Sequence, residues 1–412
     1  MINYHRETLS NGLDVIVHED HSSSTVCLNI LYKVGARNED PERTGFAHLF
    51  EHLMFGGSKN VKNFDEPLQR VGGENNAFTS NDITNYYITI PSDNVETAFW
   101  LESDRMLSLS FDPEVLEVQR KVVIEEFKQR YLNQPYGDVW LKLRPLAYKK
   151  HAYQWPTIGK DISHIEQATM DDVKNFFFQN YRPGNAILVI AGDITVSRAM
   201  ELSKKWFGEI EDRKVLVRNP NPEPQQEGAR ELVLRNKVPA AAIYKTYHMS
   251  ARSTDEYYAE DLLSDILGRG HSSILYQKLV KEKKLFSSIG AYVTGNVDPG
   301  LLVISGKLND GVDEHLANSE IEKIIQDLKE NGVATDDLEK VKNQSESNHL
   351  FAQMEVLNRA MGLAYATFLG STDLVNQEQK HIRNVTKSNV EDAIGRVLID
   401  TNCSTMFYLP EN

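Results

Sequence analysis

The chain has 412 residues, 41% apolar and 25% charged, the composition of an ordinary folded protein and too apolar for a disordered one. Forty-five Lys and Arg against fifty-nine Asp and Glu leave a net charge of −14, so most of the surface repels phosphate backbones and nucleic-acid binding is a poor default. No window approaches the ~18 unbroken apolar residues of a membrane span, and the opening MINYHRETLS lacks a signal peptide's apolar core, so the expected location is the cytoplasm unless a signal was removed.

Alternating apolar residues predict strands at Gly12–Val17 and Thr25–Tyr32. An amphipathic helix follows from about Gly45 to Phe55 and stops at Gly56-Gly57. Asn85–Ile90 reads as a strand, then long helical stretches lead to a late strand at Ala186–Ile190. Asn219–Gly228 has prolines at alternate positions 220, 222 and 224 and nothing apolar to pack, so it reads as a linker. Beyond it the pattern recurs: strands at Glu231–Leu234 and Ala241–Tyr247, then a helix from Glu256 to Leu267 ending at Gly268-Arg-Gly270. A strand at Leu301–Ser305, further helices and a closing strand at Ser404–Tyr408 complete the second half.

The expected fold is therefore α+β, with two similar domains from a duplication, each a mostly antiparallel sheet packed with helices. The expected division is a first domain at 1–218, a Pro-rich linker at 219–230 and a second domain at 231–412. Cys27 and Cys403 stand far apart and make neither a disulfide framework nor a CxxC site.

The chemistry concentrates in Gly45–Phe55. Phe46, Leu49, Phe50, Leu53 and Met54 follow i, i+3, i+4, i+7, i+8 and form one core-facing stripe. His48, Glu51 and His52 fall on the other side, two imidazoles one turn apart with a carboxylate beside them. Such a pair can chelate one Zn²⁺, and the Glu can take a proton from the water it activates. The plain alternative is a solvated polar face.

A catalytic zinc needs a third protein ligand. The helical pattern of Pro113–Phe127 sets Glu126 among Val115, Val118, Val122 and Val123, on what reads as an apolar, core-facing side. A carboxylate there is costly unless a metal or a cation pairs with it, and Glu125 projects nearer the edge, so Glu126 is the candidate.

These residues resemble the pitrilysin family of metallopeptidases, which includes insulin-degrading enzyme and the mitochondrial processing peptidase. Asn11-Gly-Leu13 is similar to the family's opening NGL, and His48-Leu-Phe-Glu-His52 to its inverted zinc motif. Gly72-Gly-Glu-Asn-Asn-Ala-Phe-Thr79 with Thr84-Asn-Tyr-Tyr87 is similar to its GG-x-x-NA-x-T segment, and Val122–Glu126 to the stretch with the third ligand. The resemblance implies a zinc endopeptidase, with Zn²⁺ on His48, His52 and Glu126 and Glu51 as general base. It also implies an edge strand at Asn76, Ala77 and Phe78 that binds extended substrate, an activity working inside a closed chamber.

Two positions depart from the family pattern. Gln119 stands where a glutamate usually orders the zinc site, and it brings no charge. Val280 and Ser287 stand where the family's peptidases use an Arg and a Tyr to hold substrate and the tetrahedral intermediate. The stretch matching the zinc helix in the second half, Asp261-Leu-Leu-Ser-Asp-Ile-Leu267, has no histidine, and Lys281–Lys284 reads as a solvated helix face. The resemblance thus implies a dimer with acidic faces inward, preferably a heterodimer with a related chain that carries the Arg and Tyr. In a homodimer, Lys281 or Tyr292 would have to substitute. The competing readings are a non-catalytic assembly subunit of the same fold and a zinc-stabilised peptide-binding module.

Overall fold

Among the described residues eleven strands form two sheets, the inner strands built from runs rich in β-branched and aromatic residues. The computed structural model describes residues 1–213 and 220–411. The first half contributes β1 (His5–Thr8), β2 (Asp14–Glu19), β3 (Thr25–Tyr32), β4 (Glu74–Thr79), β5 (Thr84–Pro91) and β6 (Ala186–Gly192). The second contributes β7 (Arg230–Asn236), β8 (Ala242–His248), β9 (Phe286–Val293), β10 (Leu301–Leu308) and β11 (Cys403–Pro410).

The sheets are ordered β1-β2-β6-β3-β5-β4 and β7-β11-β8-β10-β9. Leaving out β1, both run first, fifth, second, fourth, third in chain order. Each also has one parallel pair at the same place, β2 with β6 and β7 with β11, while the other pairs are antiparallel. Two sheets that share strand order and the position of their parallel pair fit the duplication read from the sequence.

The compact units are not contiguous in sequence. One comprises Met1–Gln129, His151–Asn221 and Leu350–Asn376; the other comprises Arg130–Lys150, Pro222–His349 and Gln377–Asn412. The change from one unit to the other at Asn221/Pro222 falls within the expected linker, whose Asn219 lies outside the described residues. The contiguous division at 1–218 and 231–412 misses an exchange of helices. Val356–Phe368 lays Ala360, Leu363 and Ala364 against Ile16, Cys27, Leu31, Ile187 and Val189 of the first sheet. In return, Val139–Ala147 lays Val139 and Leu143 against Val238, Ala242, Met406 and Tyr408 of the second unit. Each packing buries one face of a sheet. Proximity in sequence carried no sign of the swap.

The opposite face of the first sheet positions the site. Tyr32 of β3 and Tyr86 of β5 project from it, and Tyr86 donates to the Phe50 carbonyl at 3.3 Å. Among the described residues β4 ends this sheet, paired with β5 alone. Among the described residues no helix is long and apolar enough to cross a membrane.

Candidate metal centre

The helix Phe46–Leu53 forms where the stripe predicted it, with Phe46, Leu49, Phe50 and Leu53 buried. Phe50 packs on Phe176 at 4.9 Å and Tyr181 at 5.3 Å between ring centroids, which anchors the helix's back in an aromatic wall. Its exit needs small residues. A Cβ on Gly56 would stand 2.3 Å from Val115 Cγ1, so Gly56 lets the Pro113–Phe127 helix come close. That helix starts cleanly, with Asp112 accepting from Glu114 N at 2.8 Å and Pro113 in the first turn.

Helical spacing sets the His48 and His52 rings 4.9 Å apart and nearly perpendicular. Glu126 Oε2 lies 3.6 Å from His48 Nε2 and 3.4 Å from His52 Nε2. Four ligands tetrahedrally placed at zinc distances of roughly 2.0–2.2 Å stand about 3.4 Å from one another. The residues therefore fit the ion. Glu125, the rejected neighbour, points to solvent and pairs with Lys128 at 2.7 Å.

Glu126 is only half-buried, and its surroundings differ from those expected. Val123 is buried, but Val118 and Val122 are 55% and 44% exposed. The Val118–Val122–Glu126 side of the helix faces outward along an apolar ridge and does not face the core. Val123 and Leu116, turned away from that ridge, hold the helix on the unit. The periodicity found an apolar side but could not tell an apolar ridge beside a site from a buried seam.

Glu51 lies between the two histidines in sequence and half-buried in the structure. Thr79 Oγ1, at the end of β4, donates to Glu51 Oε2 at 2.6 Å. This contact ties the candidate base to the edge strand. In the sequence Thr79 is visible only as the end of the Gly72–Thr79 motif, because no local pattern tells a hydroxyl aimed at a carboxylate from one that packs. On β4, Asn76 and Phe78 are exposed and Ala77 is half-buried. Gln119 lies seven residues before Glu126 and hence two turns away along the same helix, half-buried.

In the second unit Val280 leans on the core from a π-helical stretch, Tyr276–Glu282. Ser287, on the sheet-edge strand β9, donates to the Lys307 carbonyl at 3.1 Å. Lys281 is exposed, as is Tyr292. Among the described residues, His48, His52 and Glu126 are the group able to hold a metal ion.

This fold, with an inverted His-x-x-Glu-His helix and a glutamate from a following helix, has the form of a zinc protease. The comparisons agree with it. The model described as "Insulinase (Peptidase family M16)" matches residues 14–159, and "Peptidase M16 inactive domain" matches residues 167–345. The chain is 31% identical to the zinc protease PqqE of Helicobacter pylori over 98% of this chain and 92% of that one. It superimposes on the crystal structure of a protease from Helicobacter pylori with a TM-score of 0.94, at 29% identity and full coverage of both chains. The periplasmic protease PqqL from Escherichia coli shares the fold at 18% identity with a TM-score of 0.79, matching 99% of this chain but only 48% of its own. The chain belongs to peptidase family M16.

Proposed function

We propose that this chain is a zinc-dependent endopeptidase that hydrolyses peptides or small unfolded chains inside a closed chamber, with Glu51 as general base. The convergence of His48, His52 and Glu126 at separations of 3.4 and 3.6 Å, on a helix that also carries the Glu51 carboxylate, carries this reading. His48, His52 and Glu126 would hold Zn²⁺, which would supply Lewis acidity for the water and the scissile carbonyl. Glu51 takes the proton of the attacking water and passes it to the leaving amine. The Thr79 hydroxyl keeps one Glu51 oxygen turned toward the strand end, leaving the other for the water. The unpaired edge of β4, at Asn76, Ala77 and Phe78, binds the substrate main chain as an added strand.

The side chains at Val280 and Ser287 supply no charge and no phenol, so a related chain carrying Arg and Tyr completes the site as a heterodimer. Escherichia coli PqqL is about twice as long as the part this chain matches, which leaves length in that one chain for a further body of this size. Metal analysis with a quenched-peptide assay tests the reading. About one zinc per chain is expected, with hydrolysis that chelation stops and zinc restores. A zinc-loaded chain that never hydrolyses peptide, alone or with a related chain bearing the Arg and Tyr, would be a non-catalytic subunit.

A further inference from the structure

The start of the metal helix is held in an unusual way. Gly45 occupies its N-cap position at φ +90°, so no side chain there serves the first amides. A Cβ on Gly45 would stand 2.6 Å from the Ile158 carbonyl oxygen. Instead Glu39, only 3% exposed, reaches in from upstream. Its Oε2 accepts from Gly45 N at 2.9 Å and its Oε1 from Ala47 N at 2.8 Å. The Trp155 indole Nε1 donates to the same carboxylate at 3.1 Å and to the Ala36 carbonyl at 3.0 Å. Trp155 is itself buried, packed with Ala36 and Ala152.

The stretch that follows Trp155 grips both elements that carry candidate ligands. Thr44 N donates to His164 Nδ1 at 3.0 Å, and Lys160 N donates to Thr44 Oγ1 at 2.9 Å, just ahead of the metal helix. Arg120, on the helix of Glu126, donates to the Ile165 carbonyl at 3.2 Å and to the Ala168 carbonyl at 2.5 Å. An eight-residue helix is too short to fix its own place. Metal ligands, however, need placement to within about 0.5 Å. A Ser or Asp at the N-cap would satisfy the amides alone. A remote carboxylate clamped by an indole does more, because it ties the helix to the segment that also holds the helix of the third ligand. The arrangement is costly: burial pushes the Glu39 carboxyl up to about 8, against the pull of the amides and the indole.

We propose that Glu39, clamped by Trp155, is a positioning residue for the metal centre, setting the depth and rotation of Phe46–Leu53 so that His48 and His52 meet Glu126. The inference rests on the zinc reading above, and the two are tested separately. The zinc dissociation constant of the parent chain is measured first, by competition with a chelator. A parent that takes up no zinc overturns the reading of the site before any variant is made.

Three variants then decide the role of Glu39. Glu39→Gln keeps the shape but turns an amide NH₂ toward a backbone donor. Trp155→Phe removes the indole donor, with its bonds to Glu39 and the Ala36 carbonyl, and some buried ring volume. Leu263→Ala, in the buried core of the second unit, is a control that lowers stability far from the site. Glu39→Gln should weaken zinc binding about 10–100-fold, Trp155→Phe less and in the same direction. Leu263→Ala should lower the metal-free Tm and leave zinc affinity alone. In metal-free Glu39→Gln, exchange of the Gly45 and Ala47 amides should quicken. Parental zinc affinity in a folded Glu39→Gln chain, or an equal loss in Leu263→Ala, would overturn the proposal. Should Glu39→Gln fail to fold, Trp155→Phe decides by the same two criteria.

Discussion

The two halves repeat one strand order, yet their matching helices carry different chemistry at the same spacing. Phe46–Leu53 places His48 and His52 four residues apart, and Glu256–Gly268 places Asp261 and Asp265 four residues apart. In the first half a carboxylate from a separate helix closes on the pair. In the second, the neighbours are cations already in use: Arg269 pairs with Asp265 at 3.0 Å, and Arg252 pairs with Glu378. The difference shows that the sheet supplies only a platform for a helix. The candidate metal centre joins two imidazoles of one helix to a third donor from another, and duplication of the platform has not copied that set.

The comparison breaks most completely at His52. His52→Ala should lose most of the bound zinc and with it nearly all hydrolysis, as read by metal analysis of the purified chain. Stoichiometric, tightly held zinc in that variant would place the ligands elsewhere. The next effect separates ligand from base. Glu51→Gln should keep its zinc and lose hydrolysis on the order of 10²-fold or more. Unchanged turnover in the zinc-loaded variant would remove Glu51 from the mechanism.

The first half was more legible than the second, for physical reasons. The metal helix declared itself because its apolar stripe and polar face both follow the 3.6 period over eleven residues. Glu126 was chosen over Glu125 by the same arithmetic, although the face that carries it is an exposed ridge. The strand order was visible only as a rhyme, since pairing partners such as β2 with β6 lie far apart in sequence. The swap of Val139–Ala147 and Val356–Phe368 left no trace, because an amphipathic helix shows that it packs and not on which sheet. Glu39 was hidden likewise: its partners Gly45, Ala47 and Trp155 are spread over more than a hundred residues, and a buried glutamate reads locally as a surface one.

The missing Arg and Tyr give the next way to sharpen the comparison. On the proposed reading, this chain without a related partner should turn over slowly, because a second copy would offer only Val280 and Ser287 where the Arg and Tyr are wanted. Placing Arg at 280 and Tyr at 287 should raise turnover by about 10²–10³-fold, the usual worth of one such donor. Val280 leans on the core, so the double variant loses some stability, and rates are compared per folded molecule at a temperature well below its Tm. Full activity of the parent alone, with no gain from the replacement, would remove the need for a partner.

The smallest expected effect belongs to the second half's own helix. Burial, and next the charge of Asp265, push the Asp261 carboxyl up to about 6 from an ordinary 3.8. Between those two values the folded chain keeps a proton that the unfolded chain has released. Stability from this group is therefore full below the unfolded value and declines as pH rises toward the folded one, with no further loss above it. Asn at position 261 has the same shape and no proton to lose. The Tm of Asp261→Asn minus that of the parent should thus be more positive at pH 8 than at pH 4, by a few degrees. Both proteins are measured with a chelator present, which keeps the metal site out of the difference, and groups remote from Asp261 cancel, so the difference reads Asp261 together with its neighbour Asp265. A difference that is flat with pH would show that Asp261 ionises freely, and that the matching helix in the second half is as well solvated there as an ordinary surface turn.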